Sequence, residues 1–206
     1  MYSPISKTGR QMGNHGLGWI IVDALDALMI MNLTSQLAQA REWVEHTLSY
    51  DQPTEVNTFE TTIRMLGGLL SAHYLQEVLK LVPSDKNPDM YLEKATHLAD
   101  RLLGAFGSPS GIPYASVNLR TRAGIPSHVD GGASSTAEAT TLQLEFKYLA
   151  KLTGEPIYWE KVEKVMEVLD KLKPKDGLVP IYISADTGKF RGSEIRLGSR
   201  GDSYYG

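Results

Sequence analysis

The chain has 206 residues, 42% of them hydrophobic and 22% charged, which is the balance of a folded protein long enough to bury a core and excludes disorder. A formal net charge of −3 supplies no basic footprint for nucleic acid and no polybasic stretch for an anionic membrane, leaving a small or neutral polar molecule as the expected ligand. With no cysteine, the chain has no disulfide framework, no thiolate zinc site and no cysteine nucleophile.

The N-terminal stretch MYSPISKTGRQMGN has no apolar signal core. The most apolar run, Trp19 to Leu33, is too short to span a bilayer and carries Asp23 and Asp26. The spacing predicts a helix over Trp19 to Met31 that is apolar nearly all round, followed by an amphipathic helix over Ser35 to Leu48. Between them, Asn32-Leu33-Thr34 is a sequon, which permits N-glycosylation in a secretory compartment. The alternation recurs, with Val56 to Leu81 apolar and rich in small residues and Asp89 to Phe106 charged and amphipathic. It recurs again in Ser135 to Leu152, which opens with the capping-box pattern Ser135-x-x-Glu138, and in the lysine- and glutamate-rich Pro156 to Leu172.

Glycine- and proline-rich stretches, Gly107 to Gly132 and Pro174 to Gly201, lie between the hairpins, and the second contains a β-hairpin pattern, LVPIYIS, ADTG, KF. Apolar inner helices alternating with amphipathic outer ones predict a mostly α chain built as an α/α toroid, with the loops at one mouth. Three hairpins do not close a ring, no composition shift marks a second domain, and residues 1–206 read as a piece of one domain.

Several residues on this framework are candidates for chemistry. In VNTFETTIRMLGGLLSAHYL, Phe59, Ile63, Leu66 and Leu70 form an apolar stripe, and Glu60, Arg64, Gly67 and Ser71 follow the same spacing on a neighbouring face. That second face reads either as a carboxylate and guanidinium beside space for a ligand or as an i,i+4 ion pair above glycines that allow close helix packing. Asp23 and Asp26 sit three apart in an apolar helix, placing at least one at a wet or hydrogen-bonded interior site, unless both solvate a helix end. Glu138 is accounted for by its capping box, although Thr141 and Glu145 continue its face. In EIRLGSRGDSYY, Arg196, Arg200 and Asp202 belong to a rim loop, with Asp202 equally suited to capping the next helix. The five histidines, His15, His46, His73, His97 and His128, lack metal-ligand spacing, no serine sits in a GxSxG elbow, and no glycine pattern matches a nucleotide loop.

The blocks GLGWIIVDALDALMIMNL, VNTFETTIRMLGGLLSAHYL, GIPYASVNL, DGGASSTAEATTLQLEFKYLAKLTG, DGLVPIYISADTGKF and IRLGSRGDSYY, in this order from about Pro4 to Tyr205, resemble the class I α-1,2-mannosidases, glycoside hydrolase family 47. The details are most similar to the endoplasmic-reticulum and fungal type. The resemblance implies a partial (αα)7 barrel and inverting hydrolysis of terminal α-1,2-linked mannose from high-mannose N-glycans on glycoproteins, in the endoplasmic reticulum or Golgi lumen. It implies that Glu60 is the proton donor, acting through a water, and that Asp202 is a second catalytic carboxylate. It further implies that Asp23 and Arg64 line the sugar subsite, that Arg200 determines which mannose branch is removed, and that Glu138 belongs to the glycan-contacting mouth.

The resemblance also implies a Ca2+ cofactor. Its threonine ligand, like a third catalytic glutamate, is expected beyond Gly206, so that no metal ligand is expected in this chain. Membrane attachment is implied only through an N-terminal anchor that the 206 residues do not contain. The chain is therefore expected to be an N-terminal half of the catalytic domain, open at both ends, inactive alone and exposing an apolar seam. Two other readings predict different placements. A glycan-binding module would bind mannose without cleaving it, and a helical scaffold for protein partners would turn Glu60 and Glu138 outward.

Overall fold

The computed structural model describes residues 2–9, 12, 15–81 and 86–206, so part of the N-terminal stretch read for targeting lies outside the described residues. A short antiparallel ladder of β1 (Tyr2–Ser3) and β2 (Thr8–Gly9) precedes three helical hairpins. Among the described residues, no helix is long and apolar enough to cross a membrane.

The first hairpin pairs an inner rod, α1 (Trp19–Asp23) and α2 (Leu25–Ile30), with an outer return, α3 (Thr34–His46). The rod is interrupted at Ala24, but the backbone ladder continues across it, with Leu28 N–H donating to Ala24 O at 2.9 Å. Asn32 makes the turn at φ 54°, a left-handed conformation that asparagine tolerates better than most residues. Val22, Leu25 and Met29 are buried, whereas Ile20 and Ile30 are exposed. The expectation of a helix buried all round thus holds only on the side that meets α3 and the second hairpin, because the opposite side has no packing partner among the described residues.

The second inner rod is α4 (Thr58–Thr61), a π-helical turn (Thr62–Leu66) and α5 (Gly67–Val78), and it returns through α6 (Met90–Leu102) and a 3-10 turn (Leu103–Phe106). It starts later than Val56 because β3 (Glu55–Asn57) pairs with β4 (Ser116–Asn118), Val56 opposite Val117. β5 (Gly124–Ile125) completes an antiparallel sheet of order β3-β4-β5 inside the stretch expected to be loop. The π turn also explains why only half of the predicted stripe is core. An inserted residue rotates what precedes it by about 100°. Leu66 and Leu70 are accordingly buried together with Met65, Leu69 and Ala72, while Phe59 and Ile63 are only partly covered.

The third hairpin contains β6 (Ser134–Ser135), α7 (Thr136–Thr140), α8 (Gln143–Thr153) and the outer helix α9 (Pro156–Leu172). The inner rod breaks between α7 and α8, where the hydroxyls of Thr140 and Thr141 bond back to the carbonyls of Thr136 and Ala137 at 2.7 and 2.6 Å, a competition with the helix ladder that bends or ends it. α9 has the predicted bounds, with Pro156 in its first turn and Lys173 in a left-handed conformation (φ 46°) ahead of Pro174. The predicted hairpin is present as β7 (Tyr182–Ile183) and β8 (Phe190–Arg191), with β6 added as a third strand. A last turn, α10 (Asp202–Tyr205), follows the rim loop.

The core lies between inner and outer helices. Phe146 of α8 packs edge-on against Phe106 at 5.4 Å and also against Tyr158 of α9, whose hydroxyl donates to Asp100 Oδ1 of α6 at 2.7 Å. Gly68 lets α1 lie directly on α5, since a β-carbon there would come within 2.7 Å of Val22 O. The inner rods run side by side in one sense, with Asp23 meeting Arg64, Asp26 meeting Ser71, and Tyr148 lying beside Tyr74 and Glu77. Their faces away from the outer helices carry exposed apolar residues, Ile20 and Ile30 on the first rod, Tyr74 and Val78 on the second and Leu144 on the third.

Candidate active site

Two inner rods begin in the same way. Asn57 and Ser135 are extended residues (ψ 130° and 131°) whose side chains accept the backbone N–H groups of Glu60 and Glu138, at 2.7 and 3.4 Å. Each cap satisfies one orphan donor of the first turn and leaves a carboxylate three residues in. Neither glutamate closes a capping box. Glu138 Oε2 instead accepts from Asn57 Nδ2 at 3.0 Å and so ties the third rod to the start of the second. Glu60 Oε2 accepts from Arg64 Nε at 2.7 Å. The capping-box account of Glu138 is thus half correct: its backbone is capped, and its side chain is used across the mouth.

Arg64 also reaches Asp23 Oδ2 at 3.5 Å, so its guanidinium lies between two carboxylates, with Glu60 39% and Asp23 44% exposed. The i,i+4 ion pair expected as one of the two readings of this face exists, and it forms part of a three-residue polar edge. Ser71 extends that edge by donating to Asp26 Oδ2 at 3.1 Å. At Gly67 an added β-carbon would meet only ordinary van der Waals contacts, 3.6 Å from Thr62 O and 3.7 Å from Glu145 Oε1.

The rim loop joins the third rod through Ala137 N–H, which donates to Arg200 O at 2.9 Å. Asp202 opens α10, exposed, with Oδ1 accepting from Ser203 N–H at 3.0 Å, a local bond of the type expected of a helix start. A small cleft between the second and third rods is lined by Thr58, Phe59, Tyr114, Ser135 and Glu138. The structure therefore gathers Glu60, Arg64 and Asp23 in one cluster, links Glu138 to the start of Glu60's helix, and brings Arg200 and Asp202 against the start of Glu138's helix. Among the described residues, no hydrogen bond or ion pair joins Glu60 directly to Asp202.

Three residues of this region were not among the predicted site residues. Asn57 carried a signal, since Asn57-x-x-Glu60 repeats the pattern of Ser135-x-x-Glu138. Asp130, in the turn before β6, receives Arg200 at 2.9 Å. Glu145, on α8 beside Gly67, is largely buried, and its Oε2 has no hydrogen-bond partner among the described residues. Burial pushes its carboxyl above the usual range. Because that carboxyl binds its proton more tightly in the folded chain, its contribution to stability is fully present below the unfolded value of about 4.3 and is lost as pH rises through the raised folded value. Glu145→Gln is expected to make the fall in Tm between pH 4.5 and pH 7.5 smaller, measured by thermal unfolding in matched buffers.

Among the described residues, the groups close enough to share a metal ion are Glu42, Glu45 and His46, on the outer helix α3 rather than at the mouth. Among the described residues, the mouth carboxylates of Glu60, Glu138 and Asp202 are bonded to Arg64, Asn57 and a backbone amide.

Parallel inner rods, outer returns and acidic residues at the rim where the loops cross define an α/α toroid scaffold with a polar mouth. The chain belongs to glycosyl hydrolase family 47, whose model matches residues 1–206. It is 58% identical over 205 residues to the mannosyl-oligosaccharide 1,2-alpha-mannosidase of Candida albicans, covering 100% of this chain and 34% of that protein. It is 52% identical over 221 residues to the endoplasmic reticulum mannosyl-oligosaccharide 1,2-alpha-mannosidase of Saccharomyces cerevisiae, covering 100% of this chain and 40% of that protein. The solved structure of an alpha-1,2-mannosidase from Trichoderma reesei superposes with a TM-score of 0.80 at 29% identity, over 93% of this chain and 41% of that one. The chain thus spans between a third and two fifths of the length of these curated relatives.

Proposed function

We propose that residues 1–206 form part of the catalytic domain of an inverting α-1,2-mannosidase that trims terminal mannose from high-mannose N-glycans in the lumen of the endoplasmic reticulum or Golgi. In this reading Glu60 is the proton donor to the glycosidic oxygen, acting through a water, and Asp202 is the second catalytic carboxylate, acting on the opposite face of the sugar. An inverting reaction needs its two carboxyls roughly 6.5–9.5 Å apart, so that a water fits between acid and base.

Arg64, bonded to both Glu60 and Asp23, would orient the sugar while keeping the acid in place. Glu138 and Arg200 would contact the outer part of the glycan. The single observation that carries this reading is the bonding of three acid-bearing helix starts round one mouth, through Asn57 to Glu138 and through Ala137 to Arg200. Calcium is proposed as the cofactor, as the resemblance implies; a hard cation would supply oxygen coordination that orients hydroxyls and water.

The test is a chimera in which residues 1–206 replace the matching segment of the Saccharomyces cerevisiae relative. Release of mannose from a high-mannose oligosaccharide is expected. Glycan binding without mannose release would favour recognition over hydrolysis, and neither would defeat the proposal.

A further inference from the structure

We propose that Asn57 is a positioning residue for two mouth carboxylates at once: one end of its amide sets the helix start that carries Glu60, and the other holds Glu138 where a ligand meets it. The catalytic half of this proposal rests on the α-1,2-mannosidase reading above. Oδ1 of Asn57 accepts the backbone N–H of Glu60 at 2.7 Å, and Nδ2 donates to Glu138 Oε2 at 3.0 Å. A carboxamide has one acceptor end and one donor end, and each is used here for what it is. Reversing the amide would set donor against donor at Glu60 and acceptor against acceptor at Glu138, so the two bonds fix each other's orientation.

The backbone that carries this amide is itself anchored. Asn57 ends β3 opposite Ser116. The next residue, Thr58, donates its backbone N–H to Ala115 O and its hydroxyl to Tyr114 O, both at 2.9 Å. The side chain therefore starts from a point held by β4 and by the segment that leads into it.

Each glutamate is engaged through one carboxylate oxygen. Glu60 Oε2 accepts from Arg64 and Glu138 Oε2 from Asn57, and among the described residues neither Oε1 takes part in a hydrogen bond. Both side chains are half-buried, and Glu138 lines the cleft between the second and third rods together with Thr58 and Phe59. A carboxylate held by the protein at one oxygen presents the other in a fixed direction, and the rotamer freedom it has already lost need not be given up when a sugar hydroxyl arrives. Without Nδ2, Ser135 would still cap the backbone of Glu138, but its side chain would lose its tie across the mouth. One side chain thus has two separable effects. Its Oδ1 end acts on the placement of the proton donor, hence on kcat, and its Nδ2 end acts on glycan contact, hence on KM.

The test has two arms. In the 206-residue chain, Asn57→Asp keeps the capping acceptor but sets a carboxylate against Glu138, and it is expected to lower the urea midpoint. In a Glu138→Gln background the same substitution is expected to leave the midpoint unchanged, because the amide introduced at position 138 donates to the carboxylate introduced at position 57. Such non-additivity is the mark of residues in contact. Equal falls in both backgrounds would overturn the tie between Asn57 and Glu138.

The second arm uses the chimera with the Saccharomyces cerevisiae relative. Asn57→Ser retains a cap but is too short to reach Glu138, and it is expected to raise KM for a high-mannose oligosaccharide by about tenfold, the loss of a charge-assisted bond, with the effect confined to KM. Asn57→Ala loses the cap as well, and it is expected to add a fall in kcat of about tenfold or more to the same rise in KM. An unchanged KM in Asn57→Ser, or a lower Tm in both variants with kcat and KM moving together, would overturn the positioning role while leaving the mannosidase reading intact. No mannose release by the unsubstituted chimera would overturn the catalytic half together with the reading beneath it, and the urea arm would still decide the tie.

Discussion

Gly104→Ala is expected to destabilise the chain by more than about 3 kcal/mol, at the top of the range for overpacked sites. A β-carbon at Gly104 would fall 1.7 Å from the carbonyl oxygen of Arg122 and 2.7 Å from its carbonyl carbon, inside any non-bonded contact. The obstacle is backbone, so no side-chain rotation relieves it, and either the 3-10 turn or the β4-β5 connection must move. The flanking segments are docked nearby as well, before β4 through Tyr114 N–H donating to Ala105 O at 2.9 Å and at the start of β5 through the close approach of Gly124 to Gly104 O. Gly198→Ala supplies the control, because nothing lies within 4 Å of the β-carbon it would add. Its effect is expected to stay within about 0.5 kcal/mol. Urea unfolding of the two variants against the parent chain checks both values, and a Gly104→Ala midpoint equal to that of Gly198→Ala would contradict the packing described for the 3-10 turn. Because β4 also pairs with β3, which ends at the cap residue Asn57, the displaced turn is expected to disturb the start of Glu60's helix as well.

Glu60→Gln in the chimera is expected to lower kcat by about 10²–10⁴-fold, the contribution typical of a positioned general acid. The amide keeps the shape of the side chain and can still meet Arg64, and the Asn57 cap on residue 60 uses only its backbone N–H. Stability should therefore be unchanged within error, since the ion pair it weakens is solvent-exposed. The combination of lost turnover, unchanged Tm and retained glycan binding identifies Glu60 as acting on the reaction. A variant that turns over normally would remove Glu60 from the mechanism, and one that unfolds would return it to the bland role of a helix-start residue.

Much of the architecture was legible because it is written in long periods. Pro156 to Leu172 carries a helical pattern with a proline at its start and a lysine-proline stop, and the helix has those bounds. The β7-β8 hairpin was legible from its turn residues. The β3-β4-β5 sheet was not, since strands of two or three residues are too short to show alternation, and what makes β3 a strand is its pairing with β4 across some sixty positions of sequence. The π turn within the second rod left no compositional mark, and its effect is visible only in which of Phe59, Ile63, Leu66 and Leu70 are covered.

At the mouth, residue types were legible and partners were not. The spacing of Glu60 and Arg64 predicts their bond, which is local. The bond from Asn57 to Glu138 and the clamp of Asp130 on Arg200 join positions 81 and 70 apart, and no local rule reaches that far.

The common direction of the inner rods gives the mouth an electrostatic character of its own. With Asp23 beside Arg64, Asp26 beside Ser71 and Tyr148 beside Tyr74, the peptide dipoles of neighbouring rods add instead of cancelling, and their positive poles all face the rim that bears Glu60 and Glu138. Each pole carries a partial positive charge that attracts anionic groups, and Glu60 and Glu138 both stand in the first turn of their helices, where that attraction is strongest. The opposite rim receives the negative poles. The scaffold thus arrives polarised from end to end before any side chain is chosen, and acidic groups are least costly to assemble where the loops meet.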